Sequence, residues 1–176
     1  MRAVEVTRAW VSEIVVGLNL CPFAERALNK TRFTQSDAET PEDLLLALGK
    51  ELQLIASAPR QEIETTLLIC PRATQNFLDF NELLGLAENL VHDLQLEGTI
   101  QVVGFHPLFQ FAGVEPDSVD NFTNRSPYPT FHLLREESIS EIAAKPEELL
   151  RIPERNTALL RQIGLEKMKQ KLASIQ

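Results

Sequence analysis

The stretch EIETTLLIC, residues 62–70, is a short apolar run that ends before a proline, and it is typical of a buried strand. An amphipathic helix follows and ends near Gly98. Its apolar face carries Phe80, Leu83, Leu84, Ala87, Leu90, Val91 and Leu94. The segment TIQVVGF, residues 99–105, is predicted to be the next strand. Strand, helix and strand in this order predict a right-handed crossover between neighbouring parallel strands.

Two further helices and a weak strand are predicted before this unit. Residues 4–18 carry apolar side chains at helical spacing, and a glycine and an asparagine mark the end of that helix. Residues 30–36 alternate weakly and predict a short edge strand. The motif TPED at 40–43 begins a helix that runs to about Ala56, because its threonine can cap the helix and its proline suits the first position.

A last strand and more helices are predicted at the C-terminal end. The segment TFHLLRE, residues 130–136, is extended in pattern and is predicted to pair antiparallel with the strand before it. The segments PEELL and IPERNTALLRQIG predict two helices, the second begun by Pro153. Residues 165–176 are expected to form a polar tail or a further helix.

The predicted fold class is α/β, with α+β as the alternative. With 176 residues, 44% of them hydrophobic, the chain has enough apolar material for one core, and we expect a single domain over residues 1–176. The expected architecture is a mixed sheet of about four strands with β-α-β crossovers, a final antiparallel strand and packed helices. The sequence leaves the strand order and the oligomeric state open.

Composition excludes several classes of protein. A net charge of −8 disfavours attraction to phosphate backbones, so no nucleic-acid partner is expected. The apolar runs are far shorter than the roughly 20 residues that span a membrane, and the N-terminus lacks a signal-peptide pattern, so we expect no membrane partner and a cytoplasmic location. Cys21 and Cys70 lack a paired spacing and are expected to be free thiols. The chain contains no dinucleotide, P-loop or zincin motif, so no nucleotide cofactor is indicated.

Two histidines are predicted to meet at one end of the sheet. His106 directly follows the strand at 99–105, and His132 lies near the start of the antiparallel strand. Pairing of these strands brings His132 close to His106, although a shift of one residue would turn it to the other face. Both imidazoles suit proton transfer near neutral pH. The alternative for His106 is a ring satisfied by hydrogen bonds as it caps the strand.

The long connection 107–129 is expected to border this site, because such loops in compact domains are usually functional or disordered. The connection ends in the motif NRSPYP, residues 124–129, in which Asn124, Arg125 and Ser126 supply donors that suit a carboxylate or a phosphate. The alternative is that these polar side chains hydrogen-bond within the protein and order the loop.

Three further candidates lie outside the loop. Arg155 and Asn156, in the first turn of the predicted last helix, can add donors at a helix N-terminus, which is a natural anion site. Cys21 is a candidate catalytic thiol if a cation lies beside it. Its position after a helix end favours the alternative of a small apolar core residue.

A divalent metal is the one cofactor that the candidates leave open. His106 and His132 would be two ligands, and Asp117, Asp120 or Glu136 could supply the third. This spacing is unspecific, so the metal remains an alternative to direct proton chemistry.

Four motifs together are similar to those of an uncharacterised bacterial domain-of-unknown-function family, the one indexed 1415. They are GLNLCPFA at 17–24, FHPLFQFAG at 105–113, NRSPYPTFHLLRE at 124–136 and IPERN at 152–156. With the intervening helices, the resemblance covers the chain from about Trp10 to Gly164. It implies no activity, because the family has none assigned.

Two hypotheses about function follow. The first is a small-molecule enzyme that holds an anionic substrate, a phosphate or a carboxylate, with Arg125 and Arg155 and uses His106 and His132 for proton or metal chemistry. The second is a non-catalytic binding or structural protein in which the polar residues order the 107–129 loop. The first requires polar side chains that converge on an open cleft, and the second requires that they pair internally.

Overall fold

The apolar stretch at 62–70 forms the second strand of an open mixed sheet. A computed structural model describes residues 2–142 and 146–175, with the side chains of all of these except residues 142 and 146–149. The described strands are β1 (Thr31–Gln35), β2 (Thr65–Ile69), β3 (Ile100–Phe105) and β4 (Thr130–Arg135). Their order in the sheet is β1-β2-β4-β3, so the predicted α/β class with a mixed sheet is confirmed.

The described helices surround this sheet. They are α1 (Arg2–Trp10), α2 (Pro22–Ala27), α3 (Pro41–Ser57), α4 (Phe77–Asp93), α5 (Glu136–Ile142), α6 (Pro146–Ile163) and α7 (Leu165–Ala173). A π-helical segment spans Val11–Val16, and short 3-10 segments span Leu28–Lys30 and Val119–Thr123. Within the described residues, no helix has both the length and the apolar character needed to cross a membrane.

The strand order corrects one prediction. β2 and β3 run in the same direction, but they are not neighbours, because β4 lies between them and pairs antiparallel with both. Burial explains this order. β4 carries buried residues on both of its faces, which suits a central strand, whereas β3 exposes Gln101 and suits an edge.

Each face of the sheet has its own apolar core. Helices α3 and α4 cover one face, where Leu52 and Phe80 join a cluster that includes Phe131 of β4. On the other face, Trp10 and Leu160 join a cluster that includes Leu67 of β2. Because side chains alternate along a strand, adjacent residues of β4 belong to different cores.

The first helix changes its geometry halfway. The N–H of Gly17 donates to the carbonyl of Ser12 at 3.1 Å, and the N–H of Leu20 donates to that of Val15 at 2.8 Å. Both bonds span five residues, which is the π-helical pattern and is frequent at functional sites. A Cβ on residue 17 would lie 2.3 Å from the carbonyl oxygen of Glu13, so this close turn requires glycine.

The C-terminal helices also differ from the prediction. Pro153 does not begin a helix but lies inside α6. The two helices expected here are therefore one, and Arg155 and Asn156 lie well within it instead of in a first turn. Residues 143–145, just before α6, lie outside the described residues. Gly164, with a φ of 86°, separates α6 from α7.

We predict that Gly104→Ala lowers the free energy of unfolding by about 1–3 kcal/mol. A Cβ at this position would lie 2.8 Å from Cε1 of Phe80 and 3.0 Å from Cδ2 of Leu84, so α4 would have to move away from β3. Gly85→Ala is the matched control, because no atom lies within 4 Å of its Cβ position. Alanine is the better helix former, so this control should raise stability by up to about 1 kcal/mol. Urea unfolding of both variants measures the difference, and equal effects would contradict the close packing of α4 on β3.

Candidate functional site

A cavity of about 650 Å³ lies between the sheet and the helices on the Trp10 side. Its floor is one face of the sheet: the side chains that alternate onto this face are Thr31, Thr65, Leu67, Val103, Phe105, His132 and Leu134. The size is typical of a small-molecule site. We call this space the sheet cavity.

The walls of the sheet cavity are mainly apolar. Trp10 and Val11 come from α1 and the π-helical segment, Phe23 comes from α2, and Ile152 comes from α6. Of the described residues that line it, Asp120 is the one Asp, Glu, Lys or Arg. The Asp120 carboxylate is already paired with the Arg161 guanidinium, which contacts its two oxygens at 3.0 and 2.7 Å. The cavity therefore offers a ligand little charge.

His132 is the polar centre of the cavity floor. Its Nε2 lies 2.8 Å from Oγ1 of Thr65, and the same hydroxyl donates to the carbonyl oxygen of Leu133 at 2.6 Å. A hydroxyl has one proton, and a carbonyl oxygen can only accept. The Thr65 hydroxyl must therefore accept its second bond from Nε2, which fixes the proton of the neutral ring on Nε2.

The other ring nitrogen of His132 is left unprotonated. Burial lowers the pKa of His132 to about 4, so the ring is neutral at pH 7. Among the described residues, Nδ1 has no hydrogen-bond partner, and it is not one of the buried, unpaired side-chain atoms. Since the half-buried ring lines the cavity, its accessible surface faces that space. Nδ1 is thus a lone-pair acceptor.

His106 lies on the opposite face of the sheet, so the predicted convergence with His132 is wrong. His132 pairs with Val103, and strand alternation places residues 104 and 106 on the other side. There the His106 ring packs against Phe80, with centroids 5.2 Å apart. The prediction depended on the pairing register, because a shift of one residue turns a side chain to the other face of the sheet. The observed register places the two histidines on opposite faces.

Hydrogen bonds satisfy both nitrogens of His106. Nε2 donates to the carbonyl of Thr74 at 2.9 Å, and Nδ1 accepts from the N–H of Leu108 at 3.0 Å. The side chain is 1% exposed, and burial lowers its pKa. A site shared by the two histidines is therefore ruled out. Among the described residues, no three His, Cys, Asp or Glu side chains are grouped to hold a metal ion.

Arg125 ties the long loop together. Its Nε donates to the carbonyl of Phe109 at 3.2 Å, its Nη2 donates to that of Pro116 at 2.6 Å, and its guanidinium lies 4.8 Å from the ring centroid of Phe122. Ser126 is fully buried and donates to the carbonyl of Tyr128 at 2.6 Å. Both side chains make the internal contacts that the loop-ordering alternative requires.

Two asparagines complete this loop. Asn124 lines the sheet cavity, and its side-chain amide lies 3.1 Å from the Thr123 hydroxyl. Asn121, another polar residue of the 107–129 connection, is fully buried and accepts from the N–H of Phe111 at 3.1 Å. Its Nδ2 donates to the carbonyl of Glu115 at 2.9 Å.

Arg155 and Asn156 fasten α6 to the turn after the π-helical segment. The Arg155 guanidinium donates to the carbonyl of Asn19 and, at 2.9 Å, to Oδ1 of Asn156. The Asn156 Nδ2 donates to the carbonyl of Leu20 at 2.7 Å. Asn156 lines the sheet cavity, so this contact helps to form its wall.

Cys21 lines the same wall, directly before α2. Cys21 was expected to follow a helix end, and the sequence did not predict that α2 begins directly after it. Burial raises the pKa of the thiol, although the N–H groups of Phe23 and Ala24 and the charge of Arg155 act in the opposite direction. The raised pKa keeps the thiol protonated at neutral pH.

Comparison with known families supports the resemblance that the four motifs suggested. The family described as "Protein of unknown function (DUF1415)" matches residues 2–170. The chain belongs to this family. Neither the curated proteins nor the solved structures give a match. The family carries no assigned activity, so any function must be argued from the sheet cavity itself.

We predict that Arg125→Ala lowers the free energy of unfolding by roughly 1–3 kcal/mol, because two backbone carbonyls in a half-buried loop lose a charged donor. Arg72→Ala is the matched control. Its side chain is 59% exposed and pairs with Glu39, so the loss should be within about 0.5 kcal/mol. Chemical denaturation compares the two variants. An Arg125 variant as stable as the Arg72 variant would contradict the loop-ordering role.

A second prediction concerns pH. The pKa of His132 in the folded protein lies below the ordinary value of about 6.5, so the ring takes up a proton more readily in the unfolded chain than in the folded protein. This contribution to stability is complete above about pH 6.5 and is lost as the pH falls toward about 4. Between pH 7 and pH 5, the wild-type protein should lose roughly 1–2 kcal/mol more than His132→Gln. His92 and His106 are present in both proteins and cancel, and parallel pH profiles would contradict the assignment.

Proposed function

We propose that this protein binds an uncharged, largely apolar small molecule in the sheet cavity. The observation that carries the proposal is a space of about 650 Å³ with apolar walls, in which the one Asp, Glu, Lys or Arg among the described lining residues is already paired. Burial of such a ligand against Trp10, Leu67 and Phe105 would remove apolar surface from water, which favours binding by roughly 25 cal/mol per Å².

The arrangement of cations favours this proposal over the anionic substrate. The guanidiniums of Arg125 and Arg155 both donate to backbone carbonyls, and neither residue lines the cavity. A carboxylate or phosphate inside would lose its hydration without gaining an unpaired cation among the described residues. That loss is costly, because a buried charge needs a partner.

The proton chemistry favours binding over catalysis. A general base works best when its pKa is near the operating pH, and the pKa of His132 is about 4. Burial keeps the Cys21 thiol protonated, which makes it a weak nucleophile. His106 is on the other face of the sheet. The proposal is therefore the non-catalytic one of the two hypotheses that the sequence leaves open.

Three eight-carbon probes test the proposal: 1-octanol, its isomer 1-methoxyheptane, and octanoate. The chain has one tryptophan, Trp10, which lines the cavity and reports an occupant through its fluorescence. We predict that the two neutral probes bind and that octanoate at pH 7 binds at least about tenfold more weakly, a difference of about 1.4 kcal/mol.

A cavity-filling variant provides the control. Val103→Phe adds a ring to the cavity floor and should weaken the binding of both neutral probes by about tenfold or more. Leu46→Phe adds a ring at a residue that is 65% exposed on α3, on the other side of the sheet, and should leave binding unchanged. The proposal fails if no neutral probe changes the Trp10 signal, if octanoate binds most tightly, or if both variants behave alike.

A further inference from the structure

His132 is a polar residue on the floor of the sheet cavity, and the direction of its hydrogen bond to Thr65 is fixed. The Thr65 hydroxyl donates to the backbone carbonyl of Leu133, and that carbonyl cannot donate in return. Because the hydroxyl proton is committed to this bond, the hydroxyl oxygen can only accept from Nε2 of His132. Nδ1 is therefore an acceptor, and the backbone of β4 determines this through Thr65.

We propose that the occupant of the sheet cavity carries a hydroxyl or N–H group that donates a hydrogen bond to Nδ1 of His132. This inference rests on the proposed function, since it names the class of molecule that the same cavity takes. The ligand class is an uncharged apolar body with one donor group, such as an aliphatic alcohol. His132 is the binding residue, and Thr65 is the positioning residue that sets its tautomer.

The same geometry discriminates against other neutral molecules. An ether or ketone oxygen beside Nδ1 would bring two lone pairs together, and a plain hydrocarbon would leave the nitrogen without a partner. A carboxylate would add a negative charge to the same repulsion. An O–H or N–H donor, in contrast, satisfies the nitrogen.

Two aromatic rings that line the cavity lie near His132. The Phe105 ring centroid is 6.0 Å from that of His132, and Trp10 packs edge-on against Phe105 with centroids 5.2 Å apart. A donor bound to Nδ1 would therefore continue into an apolar body beside these rings. The fixed acceptor and the adjacent aromatic wall together describe an amphiphile with a single small polar end.

The isomers 1-octanol and 1-methoxyheptane test this inference, because they share size and composition and differ in the O–H donor. In the wild-type protein, the alcohol should bind about fivefold more tightly than the ether, as expected for one net hydrogen bond. In His132→Phe, which keeps a ring but removes Nδ1, the ratio should fall to about one. Isothermal titration calorimetry and Trp10 fluorescence measure both affinities.

Two variants of Thr65 test its positioning role. Thr65→Val removes the hydroxyl and frees the imidazole to carry its proton on either nitrogen, so the preference for the alcohol should fall below about twofold. Thr65→Ser retains the hydroxyl and should restore the wild-type ratio of about fivefold. A merely structural role for Thr65 would weaken both isomers equally and leave their ratio unchanged.

The outcomes separate this inference from the proposed function. Equal wild-type affinities for the two isomers, or tighter binding of the ether, would overturn the donor assignment while leaving the cavity as a binding site. No binding of either isomer would overturn both. The wild-type comparison decides the matter even if a variant does not fold, and circular dichroism of each variant checks its fold first.

Discussion

The pairing of β4 between β2 and β3 is the constraint on which the rest of the structure depends. In this register, His132 lies between Leu67 and Val103, and Phe131 lies between Leu68 and Gly104. Strand alternation then assigns each residue of β4 to one of two cores. The same pairing gives the sheet cavity its floor and separates His132 from His106, so a shift of one residue would remove the candidate site.

Polar residues around the cavity stabilise its walls, and this is the main contrast with the anion-binding hypothesis. Arg155 and Asn156 hold the turn after the π-helical segment, and Arg161 holds the Val119–Thr123 segment through Asp120. These bonds satisfy backbone carbonyls and a carboxylate near an apolar space, where unpaired groups are costly. Among the described residues Nδ1 of His132 has no such partner, and a ligand with a donor group would supply one.

Sequence reasoning found most of the elements, because their signals are local. Apolar periodicity and caps predicted α3, α4, β2 and the antiparallel last strand, and weak alternation was enough to place β1 at an edge. The prediction that β2 and β3 are neighbours was wrong, because the strand order depends on which strand is buried on both faces, and a sequence pattern cannot show that for two runs of similar length. Pro153 was predicted to begin a helix because proline is over-represented at the first helical position and disrupts a helix interior. In the structure, α6 continues through it.

The candidate residues were found more readily than their roles. His132, Cys21, Asn124 and Asn156 do share the cavity, but an arginine that binds an anion and one that bonds loop carbonyls have the same sequence signal. The role of Thr65 was not predicted, because it depends on the pairing of β2 with β4. This pairing brings Thr65 next to His132, which is 67 residues later in the chain. Long-range ¹H–¹⁵N NMR of the His132 ring measures which nitrogen carries the proton. We expect a neutral ring at pH 7 with the proton on Nε2, and a ring with a protonated Nδ1 would contradict the role of Thr65.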